Sequence, residues 1–209
     1  MKKLFATAGA VLIASLMVIG VAKAAVFDFA NIADNPPGEL GGQPLLFSNG
    51  GIDLEARGYL LGDGAFAYLD SGGAGLGVCG TLNASLQCNP GSDDNVTAGE
   101  TLQLTFSEKV IFDSISFKDE VHGTAGLTGD EFVLTIDGVT IAPNSSLDPA
   151  NWGALAGIMG TVFEFAFFDE QFYIGNIAVS AVPLPPSMIL FGAALIGLGV
   201  LSRRRKQQA

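Results

Sequence analysis

Basic residues are scarce in the body of this 209-residue chain. Between Ala25 and Val182 only Arg57, Lys109 and Lys118 are basic, whereas all 21 acidic residues fall there, giving that stretch a formal net charge of −18. A body so acidic repels phosphate backbones and anionic membrane surfaces, which excludes nucleic acid as a partner. Divalent cations, cationic surfaces and neutral glycans stay compatible with it. Histidine is nearly absent too: His122 is the only one, set in Phe117-Lys118-Asp119-Glu120-Val121-His122-Gly123. It reads as the end of a strand at a surface turn, with Asp119 or Glu120 as acid/base partner in the catalytic alternative. No Gly-x-Ser-x-Gly elbow offers a nucleophile for such a pair. The glycines at 72, 73, 75 and 77 lead into no Gly-Lys-Ser/Thr, so they mark turns and not a phosphate loop. One tryptophan against fifteen phenylalanines favours core packing over a row of exposed stacking aromatics. No internal period supports a solenoid. No catalytic residue is assigned.

Long apolar runs occur only at the two ends. Lys2 and Lys3 precede the apolar Leu4–Val21, and Ala22-Lys23-Ala24 is a small-x-small site that predicts cleavage before Ala25, the pattern of a signal peptide over 1–24. At the other end Pro183, Pro185 and Pro186 precede an apolar run from Met188 to Leu201 and a basic cluster at Arg203, Arg204, Arg205 and Lys206. Fourteen helical residues span about 21 Å, short of a hydrocarbon core of about 30 Å. Extension back to Leu184, with snorkelling arginines, narrows the gap. The reading is a C-terminal transmembrane sorting segment over 182–206 with a tail at 207–209; a permanent single-span anchor and a buried core helix are the alternatives.

Pro183-Leu184-Pro185, followed by a short apolar helix and an arginine-rich end, resembles the sorting tail of the PEP-CTERM exported proteins of Gram-negative bacteria, in the Val-Pro-Leu-Pro variant of a motif more often Pro-Glu-Pro. The resemblance implies that Pro183, Leu184, Pro185, Arg203, Arg204 and Arg205 are sorting residues. It implies an exosortase-type transpeptidase and the export machinery as partners, and a link to exopolysaccharide and biofilm. It also implies a route across the inner membrane with transient membrane anchoring, then release to the cell surface or exterior. The stretch from Cys88 to His122 is similar to the body of poorly characterised members of that group, which implies a shared fold and no activity.

Cys79 and Cys88 stand nine positions apart in a chain with an export signal, where a disulfide is the natural pairing. A pair of metal thiolates is the alternative, although no His or further Cys is near in sequence to complete a zinc set.

The body, 25–181, reads as short strands between Gly, Asn and Asp turns. Ile52, Leu54 and Ala56 alternate with Asp53, Glu55 and Arg57, and 52–60 with 65–69 forms a candidate hairpin. Leu102, Leu104 and Phe106 alternate with Thr101, Gln103 and Thr105. Ser107-Glu108-Lys109 then reads as a turn into a return strand through Val110 and Phe112, with a break near Asp113-Ser114. Phe132, Leu134 and Ile136 lead through Asp137-Gly138 into Val139–Ile141, and sheet-forming residues fill 161–168 and 172–182. Eight to eleven strands and almost no helix predict an all-β domain, a single β-sandwich of jelly-roll type.

The acidic turn Asp93-Asp94-Asn95, with Glu100 just beyond, is the candidate metal site. Carboxylates, an amide and carbonyls gathered in a turn can supply the oxygens that calcium requires, although the order is not that of an EF-hand. The competing reading is a solvated turn that stops strand extension. The function expected is a non-enzymatic structural or carbohydrate-binding protein of an exopolysaccharide matrix, assisted by calcium. Two alternatives stand beside it: a secreted polysaccharide-processing enzyme using paired acids among Glu164, Asp169 and Glu170, and a self-associating surface-layer or filament subunit.

Overall fold

The computed structural model describes residues 23–124, 131–146 and 149–183, together with Phe191. One compact unit spans Ala22–Val182; the second, Met1–Val21 with Pro183–Ala209, falls outside the described residues apart from Pro183 and Phe191.

In chain order the elements are β1 (Ala24–Asp28), α1 (Phe29–Asp34), β2 (Leu40–Gly42), β3 (Leu45–Asn49), β4 (Ile52–Leu60), β5 (Asp63–Asp70), β6 (Gly75–Cys79), β7 (Glu100–Lys118), β8 (Glu131–Ile136), β9 (Val139–Ser146), a 3-10 segment (Pro149–Leu155), β10 (Met159–Phe167) and β11 (Tyr173–Ala181). α1 begins where the Asp28 carboxylate accepts the Asn31 N–H at 3.1 Å and lasts fewer than two turns.

All eleven strands belong to one sheet, and five of them, β4, β5, β6, β11 and β7, pair in a closed ring. The domain is therefore a five-stranded barrel with extra strands, not the two packed sheets of the expected sandwich. The reason lies in β7. Ser107-Glu108-Lys109 does not turn the chain; β7 runs unbroken for 19 residues. Its first half pairs with β4, from Leu54 opposite Phe106 to Leu60 opposite Glu100. Its second half pairs with β11, from Ala181 opposite Val110 to Tyr173 opposite Lys118. A strand long enough to serve both neighbours joins what would otherwise be two sheets. The break read at Asp113-Ser114 is a bulge: Ala178 faces Ser114 and Val179 faces Phe112, and the buried face passes from even to odd positions there.

The ring closes at its thinnest point between β6 and β11, where Leu76 and Ile174 are the one registered pair. Gly75 makes that closure possible. Its φ is +132°, and a Cβ there would stand 2.4 Å from the Ile174 carbonyl oxygen. Outside the ring, β1 lies on β11, β2 on β5, β3 on β4, and β10, β8 and β9 extend from β7.

Period-two alternation sends Ile52, Leu54 and Ala56 of β4 and Leu102, Leu104 and Phe106 of β7 into a shared apolar cluster. Phenylalanines fill it. Phe112 stacks on Phe163 with ring centroids 4.2 Å apart, and Phe117 touches Phe132, Phe165, Phe172 and Trp152. Each fully buried ring contributes roughly 2–3 kcal/mol.

Among the described residues no helix is long and apolar enough to cross a membrane. For the described residues the expected spanning helix, and with it the transient membrane anchoring, is corrected accordingly: they hold the short α-helix α1, a 3-10 segment and strands, with no helix of spanning length. Leu184, Pro185, Arg203, Arg204 and Arg205, and Met188–Leu201 apart from Phe191, lie outside the described residues.

Candidate functional site

A polar cleft of about 390 Å³ opens where the ring closes, lined by Asp70, Gly91, Ser92, Asp94, Asn95, Glu120, His122, Gln171 and Tyr173. Four separate stretches build it. Asp70 ends β5, and Tyr173 begins β11. Asp94 and Asn95 lie on the loop that follows the cystine, which is pinned by paired backbone bonds: Val96 N–H to the Phe172 carbonyl at 2.8 Å and Phe172 N–H to the Val96 carbonyl at 3.3 Å. His122 sits in the turn after β7, where its N–H donates to the Asp119 carbonyl at 3.1 Å and its φ is +65°. The loop can lie against β6 because Gly77 has no side chain; a Cβ there would meet the Asp94 carbonyl oxygen at 2.2 Å.

Hydrogen bonds tie the cleft together. The Tyr173 hydroxyl donates to Asp94 Oδ1 at 2.6 Å and also interacts with Asp70, while the Asn95 side-chain amide donates to Gln171 Oε1 at 2.7 Å. His122 Nε2 stands 3.0 Å from Asp70 Oδ2, and His122 Nδ1 stands 3.3 Å from the Gly72 carbonyl oxygen. The His122 ring meets Tyr173 edge-on at 5.5 Å between centroids.

Two oxygens are left without a hydrogen bond: Asp70 Oδ2 and Asn95 Oδ1, on residues 6% and 4% exposed. For Asp70 the His122 contact is at ion-pair distance without the alignment of a hydrogen bond. Both orphans are acceptors, and both residues line this cleft.

Burial sets the electrostatics. It pushes the Asp70 carboxyl up to about 6, with the Asp94 charge adding to the rise and His122 opposing it. Asp94 is also raised, first by burial, against the lowering effect of the Tyr173 hydrogen bond. Burial raises the Tyr173 phenol well above its ordinary value, and the hydrogen bond to Asp94 adds to that.

The residues read from the sequence as a metal site are not all brought together. Asp94 and Asn95 enter the cleft. Asp93 turns toward β6, accepting the Gly80 N–H at 3.2 Å. Glu100, 2% exposed, accepts the Thr97 N–H at 2.9 Å and closes the turn into β7 outside the cleft. Burial lifts its carboxyl to about 7. Cys79 and Cys88 form a disulfide, so although Asp93 lies close to both sulfurs, neither is a thiolate ligand. Of the paired-acid candidates, Glu164 accepts from Gln103 Nε2 at 2.9 Å across β10 and β7, while Asp169 and Glu170 lie in the turn before β11; none lines the cleft.

Sequence reading missed Asp70, Gln171 and Tyr173, and paired His122 with the wrong acids. Asp70 and His122 are 52 positions apart, and only the barrel closure brings them together. The signal available was Gly72, Gly73 and Gly75 directly after Asp70, which mark a chain reversal at a crowded seam. A second groove, about 460 Å³, runs beside β3 and is walled mainly by Leu46, Phe47, Leu54 and Phe106; it holds no orphaned buried polar atom.

No family model, curated protein or solved structure matches this chain, so the family suggested by the tail gains no support from these comparisons.

Proposed function

We propose that this protein is a non-enzymatic structural domain of an exopolysaccharide matrix, of the kind that builds biofilms, and that its polar cleft holds a neutral polysaccharide. The observation that carries the reading is the lining of that cleft: carboxylates and amides from four stretches of chain, two of whose oxygens want a donor. Sugar hydroxyls are such donors, and the net charge of −18 in the body disfavours an anionic polymer. The polar groups of the cleft hold one another in place: His122 stands between Asp70 Oδ2 and the Gly72 carbonyl oxygen, and the Tyr173 hydroxyl is committed to Asp94. The tail's resemblance to exosortase substrates supports the matrix setting and belongs to the same proposal.

Affinity electrophoresis through gels containing neutral polysaccharides tests it. Retardation of the wild-type chain, reduced in Gln171→Leu and Asn95→Leu, with no release of reducing ends, is the expected result. Migration that no neutral polysaccharide alters, or release of reducing ends on incubation, overturns it.

A further inference from the structure

We propose that the cleft is a divalent-cation site for a hard ion of calcium's size, with Asp70, Asp94 and Asn95 as its protein ligands and Gln171, Ser92 and Glu120 as the remaining oxygens within the same walls. The ligand set differs from the one that the sequence suggests, since Asp93 and Glu100 are engaged elsewhere and Asp70 is recruited from the end of β5.

Acidic side chains alone do not make a site. The independent sign is Asn95 Oδ1, an amide oxygen on a side chain 4% exposed, at the cleft wall, with no donor. Its amide nitrogen is spent on Gln171, which fixes the oxygen's direction. An amide oxygen left so in a protein interior costs about 1–3 kcal/mol unless something electropositive meets it. Asp70 Oδ2 has no hydrogen bond either, although His122 Nε2 stands 3.0 Å from it. Charge points the same way. Asp70, Asp94 and Glu120 face the cleft against His122 as its single basic side chain, and the charge of half-buried Asp94 repels that of buried Asp70, a cost that a divalent ion removes. The donors are all oxygen apart from that imidazole, and hard cations take six to eight oxygens at roughly 2.3–2.6 Å. Ligands drawn from several loops can adjust their spacing, which suits calcium over magnesium, an ion that demands near-ideal octahedral geometry and dehydrates reluctantly.

This inference rests on the proposed function and deepens it, since an ion held by these oxygens leaves coordination positions for sugar hydroxyls; calcium binding is measured without any glycan, so either can fail alone. Isothermal titration of the full chain with CaCl2, and terbium luminescence sensitised by Tyr173 beside Asp94, are the assays. A single saturable calcium site is expected, weaker for magnesium, with terbium emission reversed by excess calcium. Asp70→Asn and Asp94→Asn each weaken binding at least about tenfold, while Asp53→Asn, an exposed acid on β4, leaves it unchanged. Where an aspartate variant does not fold by circular dichroism, Gln171→Leu at its half-buried loop position takes its place and must weaken binding. No saturable calcium binding at millimolar concentration, wild-type affinity in the cleft variants, or an equal loss in Asp53→Asn overturns the proposal.

Discussion

Replacing Glu100 with Gln should change the way stability depends on pH more than any other single substitution. Glu100 opens β7, is 2% exposed, and accepts the Thr97 N–H at 2.9 Å; burial lifts its carboxyl from an ordinary 4.5 to about 7. A carboxyl whose folded value is raised binds its proton more tightly in the folded state. Its contribution to stability is thus fully present below about 4.5 and is lost as pH rises through about 7. Linkage over that window gives a loss of about 2–3 kcal/mol between pH 5 and pH 8. Gln keeps the shape and the acceptor for Thr97 but does not titrate. The difference in stability between Glu100→Gln and wild type should therefore move in the variant's favour by about 2–3 kcal/mol from pH 5 to pH 8, or roughly 5–10 °C in melting temperature for a domain of this size. Thermal melts of both proteins at half-unit pH intervals provide the measurement, and taking the difference removes the titration of the other acids. A difference that is flat from pH 5 to pH 8, or one that moves toward wild type, would refute the reasoning.

Phe112→Ala removes a ring stacked at 4.2 Å on Phe163 and packed against Phe106 and Phe165, so urea unfolding should show a loss of about 3–5 kcal/mol; less than 1 would mean that the cluster is not packed as described. Gly75→Ala places a methyl against the Ile174 carbonyl at a φ of +132°, and a loss of about 1–3 kcal/mol, with faster amide exchange at the β6–β11 seam, is expected; unchanged exchange there would contradict the closed ring. Reducing the Cys79–Cys88 bond frees a loop of nine positions and should lower the urea midpoint by the equivalent of about 2–3 kcal/mol; an unchanged midpoint would contradict this.

Local patterns were legible. Leu102, Leu104 and Phe106 alternate with polar residues in the sequence and are buried in the fold, and the hairpin from Ile52 to Leu69 forms with Leu60 opposite Asp63. What period-two reading cannot detect is a strand that continues through polar residues. Ser107, Glu108 and Lys109 carry the composition of a turn, yet both neighbours of β7 supply ladder partners on either side of them, and that tertiary pairing overrides local preference. A count of short strands predicts a sandwich, and only the continuous β7 shows that the strands close into one ring. The site was half legible for the same reason. Asp94 and Asn95 stand out as a charged turn, but Asp70 ends an apolar strand and shows its role only when closure sets it beside residues 94, 122 and 173. Asp93 and Glu100 carry the same chemistry by name and are spent on the backbone amides of Gly80 and Thr97.

The central claim, that the cleft at the barrel seam holds a neutral polysaccharide without turning it over, is tested most directly by nuclear magnetic resonance of the 15N-labelled chain titrated with neutral oligosaccharides. Shifts concentrated at the side-chain amides of Asn95 and Gln171 and at the backbone of residues 70, 94 and 173, with the oligosaccharide intact afterwards, are the predicted result. Shifts at the groove beside β3 with none in the cleft, or cleavage of the oligosaccharide, would contradict it.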